Sequence, residues 1–366
     1  MTAGMPASVT TNLDDDAAVG LLHGLVAAPS VSGAEQPAVS YLVNAMRRLG
    51  LDAWVDETGN AVGCAGEGSP EIVLLGHIDT VPGDVPVRIE DGLLYGRGAV
   101  DAKGPLAAFA MAAARLQACG LLRGRIVVIG CVEEEAPSSR GAHGVLGRYH
   151  PDFCIVGEPS GVGAITLGYK GSLRARVRLT QPCAHSAHDG QSVAERGCRL
   201  WEQVRAWAGE VNRGRDRAWE QVLPALLRIS SGGDGLYEWC ELDLSIRLPE
   251  DFTPGIVEAR LREIACAGEV EVLGAVPAFR SGRDSALARA LIAGIRTQGD
   301  APRFVVKTGT SDMNLVGPAW GCPTLTYGPG DSRLDHTPDE HISLVEYLAA
   351  IRVLEHALAG LLNRRG

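Results

Sequence analysis

The chain has 366 residues, of which 46% are hydrophobic and 21% are charged, and its formal net charge is -10. This length exceeds one typical core, so we expect two domains in a globular protein. The negative charge argues against a nucleic-acid partner, because such binding relies on clustered lysine and arginine. No apolar run approaches the roughly 20 residues of a membrane span. Residues 1–12 lack the basic start and apolar centre of a signal peptide, so we expect a disordered leader and a cytoplasmic enzyme.

The cysteines are scattered along the chain. There are nine of them, and no Cys-x-x-Cys pair occurs. An odd number without pairing argues against a disulfide framework and against a thiolate zinc site. We therefore expect most of them to be small buried hydrophobic residues. Cys131 and Cys154 lie in or beside apolar runs near candidate ligands, so a nucleophile is the alternative for these two, and the core is favoured.

The first half of the chain alternates between helical and strand-like patterns of apolar residues. Helices are predicted over 15–26, 36–49, 103–119 and 142–148, and strands over 52–56, 61–64, 72–76, 125–132 and 153–156. Strands that alternate with helices predict a mostly parallel sheet within a three-layer α/β domain.

From residue 164 the pattern changes to the alternation of half-exposed antiparallel strands. Strands are predicted over 165–167, 173–179, 222–229, 237–247 and 270–273, and helices over 192–211 and 254–267. Their order is that of a ferredoxin-like α+β domain, here inserted into the larger one. The α/β pattern then resumes with helix 284–298, strands 303–306 and 324–327, and helix 344–362. We therefore predict a catalytic domain over 13–168 and 282–366 and an inserted domain over 169–281.

Polar side chains collect where the predicted strands end, which is where open α/β sheets place active sites. His77 and Asp79 follow strand 72–76 and project to the same side of an extended backbone, so that Asp79 can hold the ring of a metal-binding His77. The candidate ligands are His77, Asp101, one residue of the run 133–135, Glu158 and His336. Imidazole and carboxylate donors suit zinc, with cobalt or manganese as substitutes, and two ions that share one carboxylate would use all five.

Each of these signals alone has an ordinary structural explanation. A histidine after a strand is more often a satisfied polar residue than a ligand, and an acidic triplet is usually a solvated loop. Their joint occurrence at strand ends favours a metal site. The chain contains neither the Gly-x-Ser-x-Gly elbow of serine hydrolases nor a P-loop motif, which argues against those two classes.

Five motifs together resemble a known family. They are His77-x-Asp79, Gly98-x-x-Asp101-x-Lys103-Gly104, Glu133-Glu-Glu135, Gly157-Glu158-Pro159 and His336-Thr-Pro-x-Glu340. In this order they resemble the co-catalytic metallohydrolases that include acetylornithine deacetylase, succinyl-diaminopimelate desuccinylase and glutamate carboxypeptidase. The resemblance covers nearly the whole chain and implies a three-layer zinc-peptidase domain with an inserted dimerisation domain.

The resemblance also implies a ligand set for two zinc ions. His77 and Glu158 would bind one ion, Glu135 and His336 the other, and Asp101 would bridge both. It further implies that Asp79 orients His77 and that the peptide bond after Asp101 is cis.

The family usually has Asp-Glu-Glu in its acidic run, so the resemblance implies that Glu134 is the general base and Glu135 the ligand. A slip of one residue in this alignment would change both roles. As the base, Glu134 would take the proton of the attacking water and deliver it to the departing amine. The segment Cys183-Ala-His185-Ser-Ala-His188 resembles the family segment whose first histidine reaches the active site of the partner subunit. This implies that His185 stabilises the oxyanion and that the protein is a homodimer joined through the inserted domain.

Two further segments resemble substrate-binding parts of the family. Arg247 lies in a stretch similar to the strand whose arginine grips a substrate carboxylate, a task that suits a guanidinium. A surface or dimer contact is the alternative for this arginine. The segment 308–312 resembles the loop that binds the amino-acid end of the substrate, and its candidate residues are Gly309 and Thr310.

The segments 95–106 and 133–141 are most similar to one branch of the family. Enzymes of that branch release lysine, or ornithine, from the terminal glutamate of a small acidic amino-group carrier protein in the aminoadipate route to lysine. Such a carrier would need a basic surface. Arg174, Arg176 and Arg178, on one face of a strand, are candidates for it, with a solvated strand face as the alternative.

Three rival functions remain at this point. One is an N-acetyl-lysine or N-acetylornithine deacetylase, or another N-acyl-amino-acid amidohydrolase. A second is a dipeptidase or carboxypeptidase, which would share the metal residues. The third is an inactive metal-binding scaffold, and the presence of Glu134 beside every ligand argues against it.

Overall fold

The computed structural model describes residues 13–120, 122–185 and 190–363. The predicted leader 1–12 and His188 lie outside these ranges. The chain forms two compact units: the first holds the residues up to Leu167, Ser281–Val305 and those from Ala319 onward, and the second holds Gly168–Arg280 and Val306–Pro318. The predicted domain bounds stay a prediction. The second unit differs from the predicted inserted domain, 169–281, in that it also includes residues 306–318.

Helices and strands follow one another in the order that the sequence suggests, with a few short additions. The first elements are α1 (Asp15–Ala27), α2 (Gln36–Arg48), β1 (Asp52–Val55), β2 (Ala61–Glu67), β3 (Glu71–His77), β4 (Arg88–Glu90), β5 (Leu93–Tyr95), α3 (Lys103–Ala118), β6 (Gly124–Cys131), α4 (Arg140–Val145), β7 (Phe153–Gly157) and β8 (Ala164–Tyr169). They are followed by β9 (Gly171–Pro182), α5 (Val193–Val211), β10 (Leu223–Gly233), β11 (Tyr237–Leu248), α6 (Pro254–Ala265), β12 (Glu269–Val276), β13 (Phe279–Arg280), α7 (Ala286–Thr297), β14 (Arg303–Lys307), α8 (Met313–Trp320), β15 (Thr324–Thr326), β16 (His341–Ser343) and α9 (Leu344–Leu362).

The main sheet of the first unit contains the strands that lead to the candidate ligands. Its order is β1-β2-β6-β3-β7-β15-β8. In this order the four central strands, β6, β3, β7 and β15, run parallel to their neighbours among these four. The prediction of a mostly parallel sheet is wrong outside this centre. The tight turn between β1 and β2 permits only antiparallel pairing, and β2 with β6 and β15 with β8 are also antiparallel.

Helix α3 explains why this sheet is buried. Its residues are buried along almost the whole helix, and it packs against β3, β6 and β7 as well as against α1 and α9. A helix that is apolar on all sides is expected where it has neighbours on all sides. The mixed α/β architecture predicted for this part of the chain is thereby confirmed. None of the helices in the described ranges is long and apolar enough to cross a membrane.

Several short elements were missed by the sequence analysis. Strands β16, β5 and β4 form a small separate sheet in that order. Each is only three residues long, too short to show a period of two. Helix α8 was also missed, and it contains a proline, Pro318, which argues against a helix in a sequence.

The second unit has the predicted ferredoxin-like order. Its sheet runs β10-β11-β9-β12, and all its neighbouring strands are antiparallel. Helices α5 and α6 pack on this sheet, where apolar side chains of alternate strand positions such as Val177 and Leu242 form the core. Ser192 and Glu195 form a capping box that begins α5.

The charged side chains of this sheet pair with one another. Arg176 lies 2.8 Å from Asp243 and Arg178 lies 3.2 Å from Glu241, on the neighbouring strand, and Arg228 contacts both carboxylates. The hydrogen bonds from Arg176 and Arg228 lower the pKa of Asp243. Because Arg176 and Arg178 form ion pairs with carboxylates of the same sheet, the charge of this face does not support the predicted basic docking surface.

Residues 306–318 join the second unit through a buried amide. The Nδ2 of Asn314 donates to the carbonyl oxygens of Tyr169 at 3.3 Å, Lys170 at 3.1 Å and Pro277 at 2.8 Å. Lys170 is itself fully buried, and its ammonium donates to the carbonyls of Ala218 at 2.9 Å and Trp219 at 3.1 Å and to that of Gln221. Burial, aided by Arg215, lowers the pKa of Lys170 to about 8.

Candidate active site

The candidate ligands of the first unit lie at one edge of the sheet because the four central strands are parallel. His77 is the last residue of β3, Glu158 follows β7 directly, and the acidic run 133–135 begins two residues after β6. His77 pairs in register with Cys131, the last residue of β6. The loop after β15 brings His336 to the same edge. The expectation that most cysteines are buried is wrong, because only four of the nine are: Cys64, Cys131, Cys154 and Cys240. Of the four exposed ones, Cys119, Cys183 and Cys266 come directly after the last residue of a helix or strand, where the chain meets solvent, and Cys198 lies on α5.

Three overlapping groups of donor atoms are present, each within 4.8 Å of one another: His77, Asp101 and Glu158; His77, Glu134 and Glu135; and Asp101, Glu135 and His336. Asp101 links the groups, because its Oδ1 is 3.0 Å from Nε2 of His77 and its Oδ2 is 3.0 Å from Nε2 of His336. One carboxylate thus faces two imidazoles with different oxygens. Such a donor set of carboxylates and imidazoles fits one or two borderline divalent ions.

The ring of His77 lies against Asp79, closer to its main chain than to its carboxylate, so the orienting role of that carboxylate stays a prediction. Its Nδ1 lies 3.0 Å from the backbone oxygen of Asp79 and 3.5 Å from Oδ1 of the side chain. This leaves Nε2 directed at Asp101 and, at 4.0 Å, at Glu158. Burial opposes protonation, but the bonds to Asp101 and Asp79 raise the pKa of His77 well above its usual value.

The carboxylate of Asp79 has a second set of partners that the sequence did not reveal. It is fully buried and accepts the backbone N–H of Glu134 at 3.0 Å, that of Glu135 at 3.0 Å and the hydroxyl of Ser32 at 2.7 Å. Burial raises the pKa of Asp79, but the interactions with His77, Ser32 and the Glu134 N–H outweigh it and lower the pKa. Asp79 therefore positions the acidic run directly.

The two preceding N–H groups are also bound by buried side chains. Asn60 Oδ1 accepts from Val132 at 3.1 Å, and Glu35 Oε1 accepts from Glu133 at 3.2 Å. Glu133 has a positive φ of 57°, a conformation that a non-glycine residue rarely adopts without such support. Its own side chain turns to Ser138 and Arg140. Glu133 is absent from the donor groups, which agrees with the alignment that makes Glu134 and Glu135 the site residues.

His336 completes the site from the loop after β15. Its Nε2 lies 2.8 Å from Oε1 of Glu135 and 3.0 Å from Oδ2 of Asp101. These bonds raise the pKa of His336 to about 10, against a smaller effect of burial. For Asp101, burial raises the pKa, but the two histidines outweigh it and hold the carboxyl well below its usual range. The peptide bond between Asp101 and Ala102 is cis, as predicted.

Comparison with known proteins places this arrangement in a family. Residues 73–360 match the description "Peptidase family M20/M25/M40". The chain belongs to this family. It is a hydrolase of this family, and the resemblance that the five motifs indicated is confirmed.

Curated relatives of this family match nearly the full chain. A protein of Deinococcus radiodurans named [LysW]-lysine hydrolase is 45% identical over 97% of this chain and 100% of its own length. A protein of Thermococcus kodakarensis named putative [LysW]-lysine/[LysW]-ornithine hydrolase is 41% identical over 92% of this chain and 90% of its own.

Solved structures of peptidases share the fold at low identity. A metallo-carboxypeptidase of Sulfolobus solfataricus matches with a TM-score of 0.79 and 19% identity, over 94% of this chain and 99% of its own. Human carnosine dipeptidase 1 matches with a TM-score of 0.75 and 16% identity, over 96% and 97%. These similarities confirm the zinc-peptidase fold.

The remaining residues predicted from the family belong to the second unit. Arg247 Nη1 donates to the hydroxyl of Thr310 at 2.6 Å, so two predicted substrate-binding residues lie together. Gly309 is their neighbour, and a Cβ added there would meet no atom within 4 Å. His185 is exposed at the end of the described stretch 122–185.

The sequence analysis missed Glu35, Asn60 and Glu340 as residues around the site. All three are buried polar side chains that bind backbone N–H groups. Glu340 belongs to the motif His336-Thr-Pro-x-Glu340, in which the resemblance assigns a role only to His336. A polar residue that binds backbone leaves no periodic signal, so only the motif that contains Glu340 offered a hint.

Proposed function

We propose that this protein is a metal-dependent amide hydrolase that releases lysine, or ornithine, from the terminal glutamate of an amino-group carrier protein in lysine biosynthesis. The observation that carries the proposal is the 45% identity over 97% of the chain to a relative named [LysW]-lysine hydrolase. The convergence of imidazole and carboxylate donors at one sheet edge supplies the chemistry such a reaction needs.

We propose that the site holds two zinc ions, with cobalt or manganese as substitutes. His77 and Glu158 would hold one ion, Glu135 and His336 the other, and Asp101 would lie between them. The support is the 3.0 Å approach of each Asp101 oxygen to a different histidine. His77 is prepared for this role because its Nδ1 is bound to a carbonyl, which leaves Nε2 as the donor. Bound ions of this kind lower the pKa of water toward neutrality and polarise a carbonyl.

Glu134 is the proposed general base. Its carboxylate lies with His77 and Glu135 in one donor group, and its backbone is fixed by Asp79. From there it would accept the proton of the attacking water and pass it to the departing α-amine of lysine. Arg247, with Thr310 and Gly309, is the proposed binding site for the carboxylate end of the substrate, because the guanidinium fork matches that group.

We further propose a homodimer joined through the second unit, in which His185 of the partner subunit donates a hydrogen bond to the oxyanion. The support is the edge strand β10, which ends the sheet and exposes Leu227 by 58% and Ile229 by 42%. Exposed apolar side chains on an unpaired edge strand favour pairing with another strand. Sedimentation of the intact protein and of Leu227→Asp would test it: a dimer that the variant dissociates is expected, and a wild-type monomer would contradict it.

The test of the function is the release of the free amino acid, lysine, ornithine or diaminopimelate according to the substrate, by zinc-loaded protein. The carrier protein's glutamyl-lysine end, acetyl-lysine, acetylornithine and succinyl-diaminopimelate are supplied at equal concentration. Preference for the carrier adduct, abolished by a chelator and restored by zinc, is the expected result. Preference for a small acyl-amino acid would keep the metal chemistry and refute the carrier as substrate. Activity that resists the chelator would refute the metal site.

A further inference from the structure

Glu340 is a fully buried carboxylate that no role in the proposed reaction explains. It lies four residues after His336, in the loop between β15 and β16. Its relative exposure is 0%, and a buried carboxylate requires partners to be tolerated. Within the described residues its hydrogen bonds go to one other segment, the turn 96–101 that ends in Asp101.

The contacts of Glu340 form a set of four hydrogen bonds to this turn. Oε1 accepts the N–H of Val100 at 3.0 Å and that of Asp101 at 3.2 Å. Oε2 accepts from Nη1 of Arg97 at 2.7 Å. The backbone oxygen of Glu340 accepts the N–H of Gly96 at 3.2 Å. Side chain and main chain of one residue therefore hold the whole turn.

The neighbouring chain reinforces this connection. His341, the next residue, pairs in register with Tyr95, the residue before the turn. The two segments are 239 residues apart in sequence at their closest contact, so nothing local places them together. Only three residues lie between His336 and Glu340, and the span of these four steps is at most about 14 Å when extended. A displacement of Glu340 relative to the turn would thus change the distance between Asp101 and His336.

We propose that Glu340, held by Arg97, is a positioning residue that sets the spacing between Asp101 and His336 and so the affinity of the site for its metal. This inference rests on the proposed metal site and adds a residue that binds the backbone N–H of one ligand, Asp101, without itself belonging to the donor groups. The alternative is that the buried pair only stabilises the fold, as many Arg–Glu pairs do. The two explanations differ in one observable, because a purely structural pair would not change metal affinity.

Two variants separate charge from position. Glu340→Gln keeps the shape and the acceptor for Val100 and Asp101 but places an NH2 group against the guanidinium of Arg97. Glu340→Asp keeps the charge but shortens the side chain by one methylene group. The control is Glu355→Gln, which likewise removes the negative charge from a partly buried pair with an arginine, here Arg115 at 3.2 Å between α9 and α3.

The measurements are the zinc dissociation constant, by competition with a chromogenic chelator, and thermal unfolding of the metal-free protein. Loss of an outer partner of a metal ligand weakens metal binding about 10- to 100-fold. We expect a loss of this size in Glu340→Gln and in Glu340→Asp and no change in Glu355→Gln. A lower thermal stability of the metal-free protein in all three variants is compatible with the inference, because zinc affinity is the quantity that tests it.

Zinc affinity within twofold of wild type in Glu340→Asp, or in Glu340→Gln, would overturn the inference and leave the pair a structural one. If Glu340→Gln does not fold, Glu340→Asp decides alone. A wild-type protein that binds no zinc, cobalt or manganese would instead refute the proposed metal site, and with it this inference. Failure of the two proposals is therefore distinguishable before any substrate is added.

Discussion

The substitution Asp79→Asn tests whether the carboxylate of Asp79 holds the acidic run. This carboxylate accepts the N–H of Glu134 through Oδ1, and through Oδ2 it accepts both the N–H of Glu135 and the hydroxyl of Ser32. An asparagine amide offers one oxygen instead of two. In either orientation its NH2 group faces a backbone N–H of the run, so at least one of these hydrogen bonds is lost.

The size of the effect follows from these contacts. A hydrogen bond to a charged group contributes about 1.5–3 kcal/mol, and a remaining bond to a neutral amide is weaker by about 1 kcal/mol. We therefore expect the metal-free protein to lose about 3 kcal/mol of unfolding free energy. For a unit of this size, 1 kcal/mol corresponds to about 2–4 °C, so the midpoint should fall by about 6–12 °C.

The assay is thermal unfolding of chelator-treated protein at neutral pH, followed by calorimetry because the two units need not unfold together. Ser32→Ala serves as the control, since it removes one hydrogen bond from the same carboxylate; at about 1.5 kcal/mol, the low end for a bond to a charged group because Ser32 is only half-buried, it should lower the same transition by about 3–6 °C. A shift for Asp79→Asn no larger than that of Ser32→Ala would refute the reasoning. If Asp79→Asn lowers metal affinity but leaves the unfolding midpoint of the metal-free protein unchanged, the carboxylate acts through His77 alone, as the sequence suggested.

Three further predictions concern the base, the substrate and a buried lysine. Glu134→Gln should retain its metal by elemental analysis and lose about 10²–10⁴-fold in turnover, and near-normal turnover would contradict the base assignment. Arg247→Lys should raise KM for the carrier adduct more than it changes kcat, because an ammonium does not reproduce the guanidinium fork that also bonds to Thr310; an unchanged KM would exclude Arg247 from substrate binding. Lys170→Met should cost about 3 kcal/mol in chemical denaturation at pH 7, since carbonyls lose their donor. The folded protein releases the Lys170 proton near pH 8, below the value of about 10.4 for an unfolded lysine. Between these two pH values the unfolded state binds more protons than the folded state, so the difference in unfolding free energy between wild type and Lys170→Met should grow from pH 8 to 10. A difference that shrinks over this range would show that the pKa of Lys170 is not lowered.

The position of the site was predictable because long signals mark it. The strands before His77 and Glu158 are continuous apolar runs, which reveal buried parallel strands, and parallel strands bring their carboxyl ends to one edge. The bridging position of Asp101 came from the family resemblance, and the distances agree with it.

What holds the site residues in place was not predictable. Glu35, Asn60 and Asp79 come from separate segments and bind four consecutive N–H groups of one loop. Such contacts depend on the tertiary fold and on backbone groups that look alike in every sequence. For the same reason the charges that neutralise Arg176 and Arg178 were invisible, because strand register decides which carboxylate lies opposite.

The amide of Asn314 has a practical consequence for anyone who wishes to study the second unit alone. A fragment that stops at Arg280 would leave the carbonyls of Lys170 and Pro277 without this donor. It would also uncover the ring of Phe279, against which Gly317 packs so closely that a Cβ would clash. A useful fragment should therefore carry 306–318 as well, joined to Arg280 by a short designed linker in place of the intervening chain.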